Sequence, residues 1–168
     1  MKQVKVTFLF FIFIISLNCK NDLKQDNKPL SIKNDLILSY KKSISKELNH
    51  RKRLNLSTNI LKSKNLNDSL KYLVLNNVSF LYSKLNKVDS AIFFSKKMLD
   101  LKLDKNILKS KVYYKLGNYF NKKNLSDSAY YFYNNSKKNY LLLNDSIQIG
   151  KVLLNIAIIE SNFGNFSL

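Results

Sequence analysis

The fold is decided by residues 113–133, whose sequence is YYKLGNYFNKKNLSDSAYYFY. Apolar residues recur three or four positions apart up to Phe120, which is the spacing of one face of a helix. A short polar segment follows, and a second apolar series begins at Ala129. The pattern predicts two helices joined by a short connection. Gly117 and Ala129 are small enough to lie where the two helices approach closely.

An Asp-Ser dipeptide recurs in front of successive apolar series. Its four copies are Asp68-Ser69, Asp89-Ser90, Asp127-Ser128 and Asp145-Ser146. An aspartate carboxylate accepts hydrogen bonds from the free N–H groups of a helix's first turn, and its charge suits the helix dipole. The four aspartates are therefore predicted to be helix N-caps rather than catalytic acids.

The predicted helix pairs repeat along the chain. Ala91 and Ala129 are 38 residues apart, and each lies directly after an Asp-Ser dipeptide. The earlier copy has Ser79 where the later copy has Gly117, and a third copy begins at Leu153. A repeated unit of this length indicates stacked supersecondary units that share one continuous core.

The later copy resembles the tetratricopeptide repeat (TPR), whose signature is an aromatic residue, Leu-Gly, an aromatic, then Ala and a further aromatic. The matching residues are Tyr113, Leu116, Gly117, Phe120, Ala129 and Tyr133. The resemblance implies an all-α fold of antiparallel helix pairs stacked as a short solenoid. It assigns TPR-like repeats to residues 68–105 and 106–144, an incomplete repeat to 145–168 and a degenerate leading helix pair to 32–67. The period of 38 residues exceeds the roughly 34 of the standard repeat.

In TPR proteins the first helices of successive pairs line a concave groove that binds a peptide or protein. Residue-by-residue alignment with that family implies these groove positions: Asn76, Phe80, Lys111, Tyr114, Asn118, Asn121, Lys151, Leu154 and Ile158. Asn amides can hold a peptide backbone and Tyr supplies amphipathic contact, so Tyr114, Asn118 and Asn121 are the leading candidates. The alternative is that all nine are ordinary exposed helix residues.

The first residues have the pattern of an export signal. Lys2 and Lys5 precede the apolar stretch Phe8–Leu17, FLFFIFIISL. A stretch of about ten residues matches the apolar region of a signal peptide and is too short to span a bilayer as a helix. Residues 1–18 are therefore predicted to be a signal peptide.

Cys19, the only cysteine in the chain, follows the apolar stretch directly. This placement resembles a bacterial lipoprotein signal, which implies lipidation of Cys19 and membrane anchoring in the cell envelope, although Asn18 departs from the usual small residue. An ordinary signal peptide and an uncleaved anchor remain alternatives. Residues 19–31, with the chain's only proline, Pro29, are predicted to be a flexible tether.

The formal net charge of +18 favours a nucleic-acid partner at first sight. Of 29 basic residues, however, only Arg51 and Arg53 are arginines, the side chain preferred for bidentate recognition of phosphate and guanine. The lysines are scattered rather than clustered. We therefore predict a solvated basic surface and no nucleic-acid partner, and an export signal would conflict with such a partner.

The sequence offers little catalytic chemistry. His50 is the only histidine, and the two glutamates, Glu47 and Glu160, lie far apart. No phosphate-binding, nucleophile-elbow or zinc-protease motif occurs, so no enzyme activity, catalytic residue, cofactor or metal is predicted.

Two functions remain for an exported chain of this kind. The first is a TPR-like lipoprotein that scaffolds an envelope complex by binding a peptide or protein in the groove. The alternative is the N-terminal extracytoplasmic sensing region of a longer signalling or transcriptional regulator. The third repeat is incomplete as aligned, which favours the alternative, whereas lipidation of Cys19 would favour the first.

Overall fold

The computed structural model describes residues 28–102 and 106–162, which form seven helices and, within those ranges, no strand. The prediction of an all-α fold is confirmed. The described residues divide between Asp35 and Leu36 into two units, and helices α2 to α7 all belong to the second. The helices are α1 (Lys28–Ser43), α2 (His50–Leu61), α3 (Asp68–Lys84), α4 (Val88–Leu99), α5 (Asn106–Lys122), α6 (Ser126–Leu142) and α7 (Ser146–Asn162).

Helix α1 begins at Lys28, inside the range 19–31 that the sequence predicts to be a flexible tether. The prediction is wrong for residues 28–31. Pro29 is compatible with this start because a residue in the first turn of a helix needs no N–H partner. The predicted signal peptide, residues 1–18, and the predicted lipidation site, Cys19, lie outside the described residues.

The helix N-termini differ from the prediction at three of the four Asp-Ser dipeptides. Only Asp145 acts as an N-cap, with its carboxylate accepting from the Gln148 N–H at 3.1 Å. Asp68, Asp89 and Asp127 lie one or two residues inside the first turn, because each helix begins earlier than predicted. Their carboxylates still lie beside the positive end of the helix dipole, which stabilises them there.

Three of the connections between helices use the same turn. Asn86, Asn124 and Asn144 have φ values of 59°, 57° and 52°, in the left-handed region that asparagine tolerates better than most residues. After each helix, the N–H of the third residue beyond the helix end bonds to a carbonyl five residues earlier, as in Leu125 to Phe120 at 3.0 Å. This is the Schellman motif, which satisfies carbonyls at a helix C-terminus and reverses the chain within a few residues.

The hairpin α3–α4, called here the first hairpin, and the hairpin α5–α6, the second hairpin, repeat the same aromatic packing. Tyr82 stacks on Phe94 with ring centroids 5.3 Å apart and planes inclined by 9°. The residues 38 positions later, Phe120 and Phe132, stack at 5.1 Å with the same angle of 9°. The repeat seen in the sequence is therefore also a repeat of side-chain geometry.

The second hairpin closes over a glycine. Ala129 is fully buried, as predicted for a small residue in a close helix contact. A Cβ placed on Gly117 would lie 2.5 Å from two atoms of the Tyr133 ring, and Tyr133 is itself fully buried. The prediction that Gly117 lies at a close approach of two helices is confirmed.

The first hairpin closes over serines at the same positions. Ala91 is fully buried, and the Ser79 and Ser95 hydroxyl oxygens lie 2.6 Å apart. The Ser79 hydroxyl is also 3.0 Å from the Ala91 carbonyl oxygen and 3.2 Å from the hydroxyl of Tyr119 on α5. Hydroxyl groups here satisfy one another in the space that the ring occupies in the second hairpin.

Within the series α2 to α7, each helix packs chiefly against its neighbours in that series. Side chains of α3, α5 and α7 nevertheless meet one another. Lys115 on α5 donates to the Asn76 amide oxygen on α3. Asn155 on α7 donates to the hydroxyl of Tyr114 on α5 at 3.0 Å. These contacts join the three helices into one surface, and the candidate site lies on it.

Candidate binding groove

A pocket of about 300 Å³ opens on this surface at α5. Helix α5 supplies most of the lining, and the last turn of α6 and the first turn of α7 complete it. The lining residues are Lys111, Tyr114, Lys115, Asn118, Tyr119, Tyr140 and Gln148. The helical spacing explains the α5 contribution, because residues three or four positions apart project from the same face.

Three of the nine residues predicted for the groove line this pocket. Lys111, Tyr114 and Asn118 follow one another at intervals of three and four residues along α5. Lys111 and Asn118 are exposed, and Tyr114 is half-buried. The pocket therefore combines an exposed rim with a more buried floor.

The other six predicted residues are not among those that line the pocket. On α3, Asn76 holds Lys115, and Phe80 is 40% exposed with the Lys84 ammonium 5.5 Å from its ring centroid. Asn121 is half-buried and its carbonyl accepts from the Asn124 N–H in the following turn. The remaining three are exposed on α7: Lys151, Leu154 and Ile158.

Tyr114 is held in place by both of its neighbouring helices. Its hydroxyl accepts from Asn155 on α7, and its ring centroid lies 5.9 Å from that of Tyr133 on α6. The Tyr133 hydroxyl in turn donates to the Asn118 amide oxygen at 2.7 Å. The Asn118 oxygen thus accepts one hydrogen bond, and its NH2 group supplies two donors that a ligand could use.

Lys115 is the most perturbed cation in the pocket. Burial lowers its pKa from 10.5 to about 8, because removal from water disfavours the charged form. Its described hydrogen-bond acceptor is a neutral amide oxygen, that of Asn76. The one ion pair among residues 28–102 and 106–162 joins Lys123 to Asp89, away from this pocket.

Tyrosines form the floor of the pocket. Tyr119 and Tyr140 are 8% and 2% exposed, and burial raises the pKa of both hydroxyls above the usual value of 10.0. Both phenols therefore stay neutral at physiological pH and remain able to donate a hydrogen bond. The floor is amphipathic, with aromatic rings and hydroxyl groups but no carboxylate.

Sequence reasoning missed four of the lining residues. Lys115 is one helical turn beyond Lys111, so the helical period alone could have placed it on the same face. Tyr119 lies one further turn along the same series, whereas no sequence pattern marks Tyr140 or Gln148. These residues come from the point where α6 turns into α7, and only the packing of the two helices brings them to α5.

The sequence matches no protein-family model and no curated protein. In the part of the chain that the structure describes, no helix combines the length and apolar content needed to cross a membrane.

Proposed function

We propose that this chain is an exported, TPR-like interaction module that binds a peptide or protein segment along α3, α5 and α7. The observation that carries the proposal is the pocket on α5, in which Lys111, Tyr114 and Asn118 lie together. Protein-binding hot spots combine aromatic anchors with polar groups in a partly desolvated site, and this pocket has both.

Two features of the fold support TPR-like stacking. The aromatic pairs Tyr82–Phe94 and Phe120–Phe132 repeat with nearly identical geometry after 38 residues. Each helix packs mainly on its neighbours in the chain, as expected for stacked hairpins. Such stacking leaves the first helices of successive hairpins on one side, where an extended segment can lie across them.

The chemistry of the surface supports an extended protein segment as its ligand. Asn118 offers amide N–H donors, and the Tyr114 hydroxyl, which accepts from Asn155, still has its own hydrogen to donate. Helix α7 also carries exposed apolar side chains, with Leu154 64% exposed and Ile158 45% exposed. A segment with backbone carbonyls and alternating apolar side chains satisfies both kinds of group.

The test is capture of a partner from bacterial envelope extracts, followed by titration of that partner against purified variants. Tyr114→Ala and Asn118→Ala should each weaken binding by roughly 1–2 kcal/mol, because both remove pocket contacts. Lys138→Glu, at an exposed position on α6, should change binding little. Circular dichroism would establish that each variant is folded. A partner lost with Lys138→Glu but kept by both pocket variants would place the site on another face.

We propose further that Cys19 carries the lipid that anchors this module to the membrane. The support is the position of the only cysteine directly after the apolar stretch Phe8–Leu17. Metabolic labelling with a fatty-acid analogue should mark the wild type and should leave Cys19→Ala unmarked and released from membranes. Equal labelling of both proteins would exclude lipidation at this residue.

A further inference from the structure

A second cavity, of about 290 Å³, is lined by α2 and by the turn that joins α3 to α4, and it is called here the turn pocket. Helix α2 contributes Arg51, Leu54 and Asn55, which lie three and four positions apart and therefore project from one face. The turn contributes Leu85 and Lys87. None of the nine residues predicted for the groove is part of this lining, so the turn pocket is a separate place on the surface.

The backbone on both sides of the turn pocket is held in place. The Lys87 N–H donates to a carbonyl of α3 at 2.9 Å, as part of the Schellman turn. On α2, Arg53 Nε donates to the Ser43 carbonyl at 3.2 Å, which ties this helix to the end of α1. The Asn49 side chain already caps α2 by accepting from the Lys52 N–H at 2.9 Å. A ligand of the turn pocket would therefore depend on side chains rather than on the helix end.

The two arginines of the chain are used differently. The Arg53 guanidinium contacts Ser43 and lies 3.5 Å from the Asn77 amide oxygen, so it serves the packing of α1, α2 and α3. Arg51 is exposed and lines the turn pocket together with Lys87, which is also exposed. Among the described residues no carboxylate joins them in the lining. Two cations at one cavity without a carboxylate favour an anionic ligand.

The chemistry of the lining matches a phosphate group that is attached to an apolar body. A guanidinium such as that of Arg51 can bind two phosphate oxygens at once, and the Lys87 ammonium adds a point charge. Asn55 supplies amide donors for a further oxygen. Leu54 and Leu85 are half-buried and leave apolar surface in the same lining. A phospholipid headgroup has both parts, since its phosphate is joined to a glycerol that carries acyl chains.

The part of the chain around α2 has the composition of a segment that lies on an anionic bilayer. From Leu36 to Lys64, eight residues are lysine or arginine and one, Glu47, is acidic. Exposed apolar side chains stand in the same part of the chain, with Leu38 67% exposed and Ile44 40% exposed. Basic residues draw a segment to anionic lipid, and apolar side chains beside them can enter the headgroup region.

We propose that the turn pocket binds the phosphate group of an anionic phospholipid headgroup, with Arg51 and Lys87 as its ligands. The proposal rests on the membrane anchoring proposed above only for the choice of lipid over other phosphates. A lipid on Cys19 would keep the N-terminal part of the chain at a bilayer, and α2 belongs to that part. One lipid anchor gives reversible membrane binding, and a basic site beside it supplies the second signal that stable attachment needs.

The first experiment measures binding of the full-length protein to vesicles by flotation, with Cys19→Ala as the background of every variant. The result then does not depend on whether a lipid is attached at that residue. The apolar stretch Phe8–Leu17 is present throughout, so it contributes equally to all variants. Vesicles that contain phosphatidylglycerol should bind more protein than vesicles of phosphatidylcholine alone. Arg51→Gln combined with Lys87→Gln should weaken binding to the phosphatidylglycerol vesicles by about ten-fold, because both ligands of the phosphate are lost.

Two control variants separate a built site from net charge. Lys62→Gln combined with Lys138→Gln removes the same charge from exposed positions outside the pocket lining, and it should change vesicle binding by less than about two-fold. Arg51→Lys keeps the charge but loses the planar fork, so it should weaken binding by about three-fold. Thermal unfolding establishes that each variant is folded. Equal losses for the two double variants would show that net charge alone attracts the vesicles and would overturn the pocket.

The second experiment titrates the same proteins with inorganic phosphate and follows binding by calorimetry. Binding of phosphate that depends on Arg51, without any preference for phosphatidylglycerol vesicles, would assign the pocket to a soluble phosphate and overturn the lipid. Capture of the envelope partner that depends on Arg51, again without vesicle preference, would assign the pocket to a protein interface. Absence of fatty-acid labelling at Cys19 would remove the anchor and leave the vesicle measurement valid, so the two proposals can fail separately.

Discussion

The first and second hairpins share an aromatic stack but close their helix contact with different chemistry. In the second hairpin, Gly117 lies against the face of the buried Tyr133 ring. In the first, the residues 38 positions earlier are Ser79 and Ser95, whose hydroxyl oxygens are 2.6 Å apart. One contact is apolar and depends on the absence of a Cβ, and the other is polar and depends on mutual hydrogen bonding.

The comparison shows that the repeat conserves the space between two helices rather than the residues that fill it. A glycine facing a large ring and a serine facing a serine occupy the gap in different ways, and either is compatible with close packing. The polar version also extends to the next hairpin, because the Tyr119 hydroxyl lies 3.2 Å from Ser79. Substitutions at the two contacts should therefore lower the unfolding free energy for different physical reasons.

The largest effect is expected for Gly117→Ala. The new Cβ would overlap the Tyr133 ring at 2.5 Å, and a fully buried ring has little room to move. We expect the free energy of unfolding to fall by about 3 kcal/mol, measured by urea denaturation. A loss below roughly 0.5 kcal/mol would show that the contact is looser than the structure indicates.

Gly117→Ala combined with Tyr133→Leu provides the control. The smaller side chain makes room for the Cβ, so the loss of the double variant should be clearly less than the sum of the two single losses. Strict additivity would mean that the two residues do not share the gap.

A smaller effect is expected for Ser79→Ala in the first hairpin. The substitution removes a hydroxyl that contacts Ser95 and the Ala91 carbonyl, and it leaves the buried Ser95 hydroxyl without that partner. A loss of about 1–2 kcal/mol follows from an unsatisfied buried polar group. Chemical denaturation measures it, with Ser69→Ala at an exposed position in the first turn of α3 as the comparison. No loss for Ser79→Ala would show that the hydroxyl pair is dispensable.

Much of this architecture could be predicted from the sequence, because it depends on local spacing. The 3.6-residue period of the apolar residues predicts the helices, and the small size of Gly117 and Ala129 predicts the close contact between α5 and α6. The N-caps at Asp68, Asp89 and Asp127 were predicted wrongly. Helix α3 begins directly after Asn67, whose side chain caps the helix by accepting from the Leu70 N–H at 2.8 Å. Helices α4 and α6 each begin directly after a Schellman turn.

The site was harder to predict than the fold because burial depends on neighbouring helices. Lys115 is a surface residue by composition, and only the packing of α5 beside Asn76 on α3 buries it. Tyr140 and Gln148 reach the pocket from beyond α5. The asparagine turns did leave a signal, since Asn86 and Asn124 each lie three residues before an Asp-Ser dipeptide.

The two hairpins also differ at the position of Lys115, and the pH dependence of the unfolding free energy should reveal that difference. The residue 38 positions before Lys115 is Asn77, which is uncharged and donates to the Ser57 hydroxyl at 2.8 Å. Lys115 has a pKa of about 8 when folded and near 10.5 when unfolded. Between these values the unfolded chain binds more protons, so the contribution of Lys115 to stability rises with pH.

The expected rise is about 1 kcal/mol between roughly pH 7.5 and pH 9, measured as the difference in unfolding free energy between wild type and Lys115→Gln. The other lysines titrate in both proteins, so their contribution cancels in this difference. A difference that does not change with pH would mean that the Lys115 ammonium is as well solvated as a surface lysine.

The smallest effect is expected at the turns, where the two hairpins are alike. Asn86 and Asn124 both have φ near +60° and end their helices with the same Schellman hydrogen bonds. Glycine adopts this conformation without strain but loses more conformational freedom on folding, so the two terms nearly offset each other. Asn86→Gly and Asn124→Gly should each change the unfolding free energy by less than about 0.5 kcal/mol, whereas alanine at either position should cost up to about 1 kcal/mol. Thermal and urea unfolding of all four variants measure this.

Because the turn depends on backbone conformation and not on the residues that fill the helix contact, equal values at both positions are expected even though Gly117→Ala and Ser79→Ala differ. Unequal values would mean that the helix contact strains one of the turns, and the two hairpins would then differ in backbone as well as in packing.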